Sequence, residues 1–94
     1  RRELVVKGLN SIPGIHCATP KGAFYAFPNI QGTKMSSKKF ADDLLMGAGV
    51  AVLAGESFGK YGDGFIRISF ANSTDRLEEA LDRISSFVTS RNST

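Results

Sequence analysis

Gly64-Phe65-Ile66-Arg67-Ile68-Ser69-Phe70-Ala71-Asn72-Ser73 alternates apolar with other residues at a period of two, which predicts a strand. Ile66, Ile68 and Phe70 fall on one face, and Phe65, Arg67 and Ser69 on the other. The first face is core. The second carries a guanidinium in mid-strand, where it lacks the freedom of a loop residue to swing into water. An arginine held there calls for a fixed anionic partner. The identity of that anion is the functional question posed by this stretch.

Downstream, Ser73 is placed to cap a helix with the stripe Leu77, Ala80, Leu81, Ile84, Phe87 and Val88, a clear period of 3.6. Glu79 and Arg83 form an i,i+4 pair on its exposed side. Residues 89–94 read as a frayed polar tail. Upstream, residues 55–64 hold four of the ten glycines and close on an Asp63-Gly64 turn. The spacing matches neither a P-loop nor a dinucleotide fingerprint, so the segment reads as a wide connection.

Residues 50–53 predict a short apolar strand. Before it, Gly49 suits the left-handed stop of a helix with the stripe Phe40, Ala41, Leu44, Leu45 and Ala48, which Ser36 or Ser37 can cap. Residues 29–35 read as a loop, and residues 23–27 as an aromatic strand ended by Pro28. Residues 15–19 form an extended segment. A first helix over residues 2–12 carries Leu4, Val5, Leu9 and Ile12 and stops at Pro13-Gly14.

The order α-β-β-α-β-β-α predicts an α+β fold, a two-layer sandwich of a small mixed or antiparallel sheet with its helices on one face. The other face holds Arg67 and Ser69, with either Phe24 and Ala26 or Tyr25 and its neighbours. That face is too aromatic to be simply solvated and is expected to meet another domain or a ligand.

A chain of 94 residues is one small domain, and 41% apolar content is ordinary for a globular one. The net charge of +3 comes from scattered lysines and arginines, which argues against nucleic-acid and membrane partners. No apolar run approaches membrane-spanning length. The lone Cys17 has no disulfide partner and, with the single His16, no metal-site spacing, so a cytoplasmic setting is expected. The chain opens on Arg1-Arg2-Glu3 directly into a helical pattern, as a piece of a longer protein would.

Arg67 is the leading candidate site residue, either as a forked clamp for a carboxylate or phosphate or as one half of a structural ion pair. Phe24 and Tyr25 are adjacent on a strand, so they point to opposite faces and only one can share a face with Arg67. His16 and Cys17 cannot face each other as strand neighbours, which removes a catalytic pair. Lys38 beside Lys39 at a helix start reads as solvated. Residues 60–70 match the central motif of an RNA-recognition motif poorly, because Asp63 and Ile68 stand where aromatics are needed. A small α+β ligand-binding module also fits the pattern.

Several motifs in series extend this reading. Arg1-Arg2-Glu3-Leu4-Val5, Leu9-Asn10, Ile12-Pro13-Gly14 and Pro20-Lys21-Gly22-Ala23-Phe24-Tyr25-Ala26-Phe27-Pro28 are followed by Leu44-Leu45, Gly49-Val50-Ala51-Val52, Gly55-Glu56-Ser57-Phe58-Gly59 and residues 65–73. In this order and spacing the chain resembles the C-terminal small domain of class I pyridoxal-phosphate aminotransferases, of the aspartate aminotransferase type. The resemblance covers residues 1–90, with 91–94 as a tail. It implies a dimeric enzyme that moves an amino group between an amino acid, with aspartate the first expectation, and a 2-oxo acid. It implies that Arg67 binds the substrate α-carboxylate, that Phe24 lies beside the substrate, and that the rest of the enzyme chain completes the pocket.

The resemblance has departures. Ala54 replaces the usual proline before the Gly-x-x-Phe-Gly loop. The Schiff-base lysine is absent from its expected context, because Ser37-Lys38 lacks the following Gly-x-Arg. The fragment alone is therefore expected to be inactive and not to hold pyridoxal phosphate. Another pyridoxal-phosphate enzyme of the same fold, such as a carbon–sulfur lyase, is the nearest alternative.

Overall fold

The structure is a computed structural model that describes residues 1–20, 24–59 and 62–92, the side chain of Asn92 excepted. Lys21 and Gly22, Ala23 of the expected aromatic strand, Lys60 and Tyr61 of the glycine loop, and Ser93 and Thr94 of the expected tail lie outside those residues.

Helix α1 (Arg2–Asn10) is followed by β1 (Tyr25–Ala26), α2 (Ser37–Ala48), β2 (Leu53–Ala54), β3 (Ile66–Ser69) and α3 (Thr74–Asn92). The three strands form an antiparallel sheet in the order β1-β3-β2. The expected α+β fold is thus observed, with the opening stretch as its central strand.

The register fixes the two faces. Ala26 stands opposite Ile68, and Ala54 opposite Ile66. Both isoleucines are buried, as is Phe70 beyond them. They meet Val5 and Leu9 of α1, Phe40 and Leu44 of α2, and Leu77, Leu81, Ile84 and Val88 of α3 in one core. At about 25 cal/mol per Å² of apolar area removed from water, this face supplies most of the drive to fold.

The helix ends follow local chemistry. Ser36 caps α2 by accepting a hydrogen bond from the Lys39 amide at 3.2 Å, and Ser73 does the same for the Arg76 amide at 3.3 Å. Gly49 ends α2 at φ 70°, in the left-handed region that favours glycine.

Residues 15–19 do not form the expected strand. His16 makes a single bridge with Asn29. The next residue, Cys17, donates its amide to Asn10 Oδ1, and its carbonyl accepts from Asn10 Nδ2, both at 2.8 Å. A side chain from the end of α1 occupies the groups that a neighbouring strand would have used. The loop over residues 29–35 includes a 3₁₀ turn, Gln31–Thr33.

Residues 89–92 also depart from expectation, because they continue α3 instead of fraying. Arg91, near that end, pairs with Asp43 of α2 at 3.0 Å. Arg83 donates to the carbonyl of Ala48 at 3.1 Å and further fastens α3 to the end of α2. Among the described residues, no helix is long and apolar enough to cross a membrane.

Candidate functional site

Arg67 sits on the open face of the central strand, directly opposite Leu53 of β2. Tyr25 of β1 stands opposite Ser69, so it shares that face and lies diagonal to Arg67. The guanidinium carbon is 4.4 Å from the Tyr25 ring centroid. It is also 5.0 Å from the centroid of Phe58, which arrives from the 3₁₀ turn Gly55–Phe58. The cation is therefore held against two π-faces.

The Phe58 turn is fixed by close backbone contact. The Gly55 amide donates to the Phe65 carbonyl at 2.7 Å. A Cβ on Gly55 would run into the Gly62 carbonyl, and one on Gly62 into that of Gly55. Asp63, in the same loop, accepts hydrogen bonds from the Ser37 amide at 3.3 Å and its hydroxyl at 3.1 Å, which ties the loop to the start of α2. Phe27 meets the Phe58 ring edge-on, with centroids 5.9 Å apart.

Beside Arg67 lies an open hollow of about 170 Å³, lined by Tyr25, Ala51, Val52, Leu53, Arg67 and Ser69. It offers apolar walls, one hydroxyl on Ser69, the Tyr25 phenol and a single guanidinium. The alternative role of Arg67 in a structural ion pair has no support among the described residues. Their ion pairs are Lys38–Asp42, Lys39–Asp43, Arg83–Glu79 and Arg91–Asp43, all on helices. Those pairs lie at the surface, with Asp43 partly buried, and contribute little to stability.

Phe24 is placed elsewhere. It is 67% exposed, and its ring lies against Phe70 at 6.3 Å. Tyr25 is the member of the pair that reaches Arg67. Phe58 was not legible as a site residue, since a wide glycine connection says nothing about where an aromatic ring within it comes to rest.

The remaining candidates stay apart from the hollow. Cys17 is buried, and that burial pushes its thiol above the usual cysteine range, away from a reactive thiolate. Lys38 is exposed, and its hydrogen bond to Asp42 raises its pKa. No described lysine lines the hollow. Among the described residues no group of three His, Cys, Asp or Glu could hold a metal. A larger hollow of about 640 Å³ lies between the end of α2 and α3, but Arg83 and Arg91 beside it are already engaged with protein groups.

The three-helix α+β unit is shared with known enzymes. Residues 1–84 match the model of the family described as aminotransferase class I and II. The chain belongs to that family. It is 55% identical over 84 residues to the aspartate aminotransferase of Pyrococcus horikoshii, covering 89% of this chain and 22% of that protein.

Solved structures agree. An aromatic aminotransferase from Pyrococcus horikoshii superposes with a TM-score of 0.92 at 46% identity, over 97% of this chain and 24% of that one. A putative aminotransferase from Clostridium difficile, solved with pyridoxal phosphate bound, gives 0.84 at 29% identity over 92% and 22%. The chain thus spans less than a quarter of the length of the relatives it matches. The family is pyridoxal-phosphate dependent. The lining of the Arg67 hollow, without a lysine, does not by itself fit that cofactor.

Proposed function

We propose that this chain is the C-terminal small domain of an aminotransferase and that Arg67 grips the α-carboxylate of the amino-acid or 2-oxo-acid substrate. The observation that carries the reading is the placement of Arg67. Its guanidinium stands on the open face of the central strand, against two rings, with no carboxylate partner among the described residues. Residues that bind the cofactor and carry out the proton transfer belong to the part of the enzyme outside this chain. The motif order described above supports the C-terminal placement.

In this reading Arg67 does not react. Its fork donates to both carboxylate oxygens and so fixes the substrate's orientation at the Cα–H bond, an effect of positioning. Tyr25 and the aliphatic wall of Ala51, Val52 and Leu53 exclude water from one side of the pair. The resemblance also implies Phe24 beside the substrate, although its ring packs on Phe70 and is not part of the lining of the hollow. Aspartate is the first substrate to try, because the aspartate aminotransferase relative is 55% identical. Aromatic amino acids come next.

The test is Arg67→Lys in the complete enzyme. Lysine keeps the charge and loses the fork. The expected loss in kcat/KM corresponds to about 2–5 kcal/mol, the range for breaking a buried charge pair. A variant with near-native kcat/KM for every amino acid tried removes Arg67 from the site.

A further inference from the structure

We propose that Phe58 is a positioning residue for Arg67, setting the angle at which the guanidinium meets a carboxylate. The inference rests on the reading of Arg67 as the carboxylate clamp and adds the residue that aims it.

A guanidinium binds a carboxylate through N–H groups that lie in its plane, so its two faces are free for other contacts. Arginine also has a long, flexible stem, and bidentate binding requires that the head be held at one angle. An aromatic face against the cation restrains the head and adds no competing hydrogen-bond acceptor such as a carboxylate or carbonyl. Tyr25 follows automatically from the sheet, since its pairing with Ser69 sets it diagonal to Arg67. Phe58 does not. It is off the sheet, and its ring lies 5.0 Å from the guanidinium carbon only because its turn is locked.

Three independent contacts lock that turn. Gly55 and Gly62 pass at a distance that a side chain would forbid. The Gly55 amide bonds to the Phe65 carbonyl, two residues from Arg67. Asp63 takes two hydrogen bonds from Ser37, which is fully buried at the start of α2. Phe27 also packs edge-on with the ring, with centroids 5.9 Å apart. The ring itself stays 45% exposed. If it served only as apolar filler against Phe27, any aliphatic side chain of similar volume would do as well. Only an aromatic face holds the cation.

The experiment uses Phe58→Leu, Phe58→Met and Phe58→Tyr in the complete enzyme, with L-aspartate and L-phenylalanine as donors and 2-oxoglutarate as acceptor. Leu and Met keep apolar volume without a ring. Both are expected to raise KM about three- to tenfold, the scale of one cation–π contact, with kcat within about twofold. The rise is the same for both donors, because each presents the same α-carboxylate. Tyr restores the ring and the parental KM.

An unchanged KM in both Leu and Met overturns the proposal. So does a rise confined to phenylalanine, which makes Phe58 a side-chain contact. A failure of Tyr to rescue, with a lowered melting midpoint in all three variants, makes its role merely structural. Arg67→Lys run in parallel separates the two readings. If it abolishes activity while Phe58→Leu is neutral, only the role of Phe58 falls. If it is neutral, the clamp and the proposal fall together.

Discussion

The two faces of the sheet are made from the same strands and do opposite work. Ile66, Ile68 and Ala26 point to the helices and are buried. Arg67, Ser69, Leu53 and Tyr25 alternate with them and stay partly or largely exposed. The helix face holds its neighbours by apolar packing, which needs no particular partner outside the chain. The open face combines a cation, two rings and an aliphatic wall, and leaves Leu53 46% and Tyr25 41% exposed. In the proposed reading, stability and function are thus separated by the period of a strand, one residue apart.

Mutations on each face sharpen that contrast. Phe40 is fully buried on α2, with its ring edge-on to Phe87 at 5.4 Å. Phe40→Ala is expected to cost about 3–5 kcal/mol in urea denaturation, the range for emptying an aromatic core site. A loss under about 1 kcal/mol would break the claim that the helix face carries the fold.

Gly55→Ala lies at the border between the faces, where the new methyl group meets the Gly62 carbonyl. It is expected to lower stability by about 1–3 kcal/mol, as overpacking does. It also moves the Phe58 turn, so the complete enzyme should lose carboxylate affinity in the same variant. A stable protein with unchanged KM would show that the close approach of the two glycines does not matter.

The smallest effect concerns pH. Hydrogen bonding from Lys39 at 2.9 Å and the nearby Arg91 hold the Asp43 carboxyl below its ordinary value of 3.8. A depressed carboxylate stabilises the fold fully above the unfolded value, and the contribution is lost as pH falls through the lower folded value. The melting-point gap between the parent and Asp43→Asn should therefore be constant near neutrality and shrink below about pH 4. Because the group is largely solvated, the gap is small throughout. A gap that grew with acid would reverse the assignment.

Much of this was legible because it is local. The alternation around Arg67, the serine caps and the Gly49 stop are each decided within a few residues. What sequence could not decide depends on distant pairing. Whether Phe24 or Tyr25 shares a face with Arg67 follows from the parity of the β1–β3 register, and Tyr25↔Ser69 settles it. Residues 15–19 have a strand's composition, yet Asn10 takes the Cys17 backbone groups. Residues 89–92 look like a tail, while Arg91 finds Asp43 on another helix. Phe58 reaches Arg67 through a loop whose path is set by two glycine backbones in contact, and periodicity does not encode such a contact.

The most direct measurement is a crystal structure of the complete enzyme with a 2-oxo acid bound. The expected result is a carboxylate held by two parallel N–H···O bonds of about 2.7–2.9 Å from Arg67. The Tyr25 and Phe58 rings should still lie against the guanidinium. A carboxylate bound by another group, with Arg67 turned to an Asp or Glu of the protein, would contradict the account.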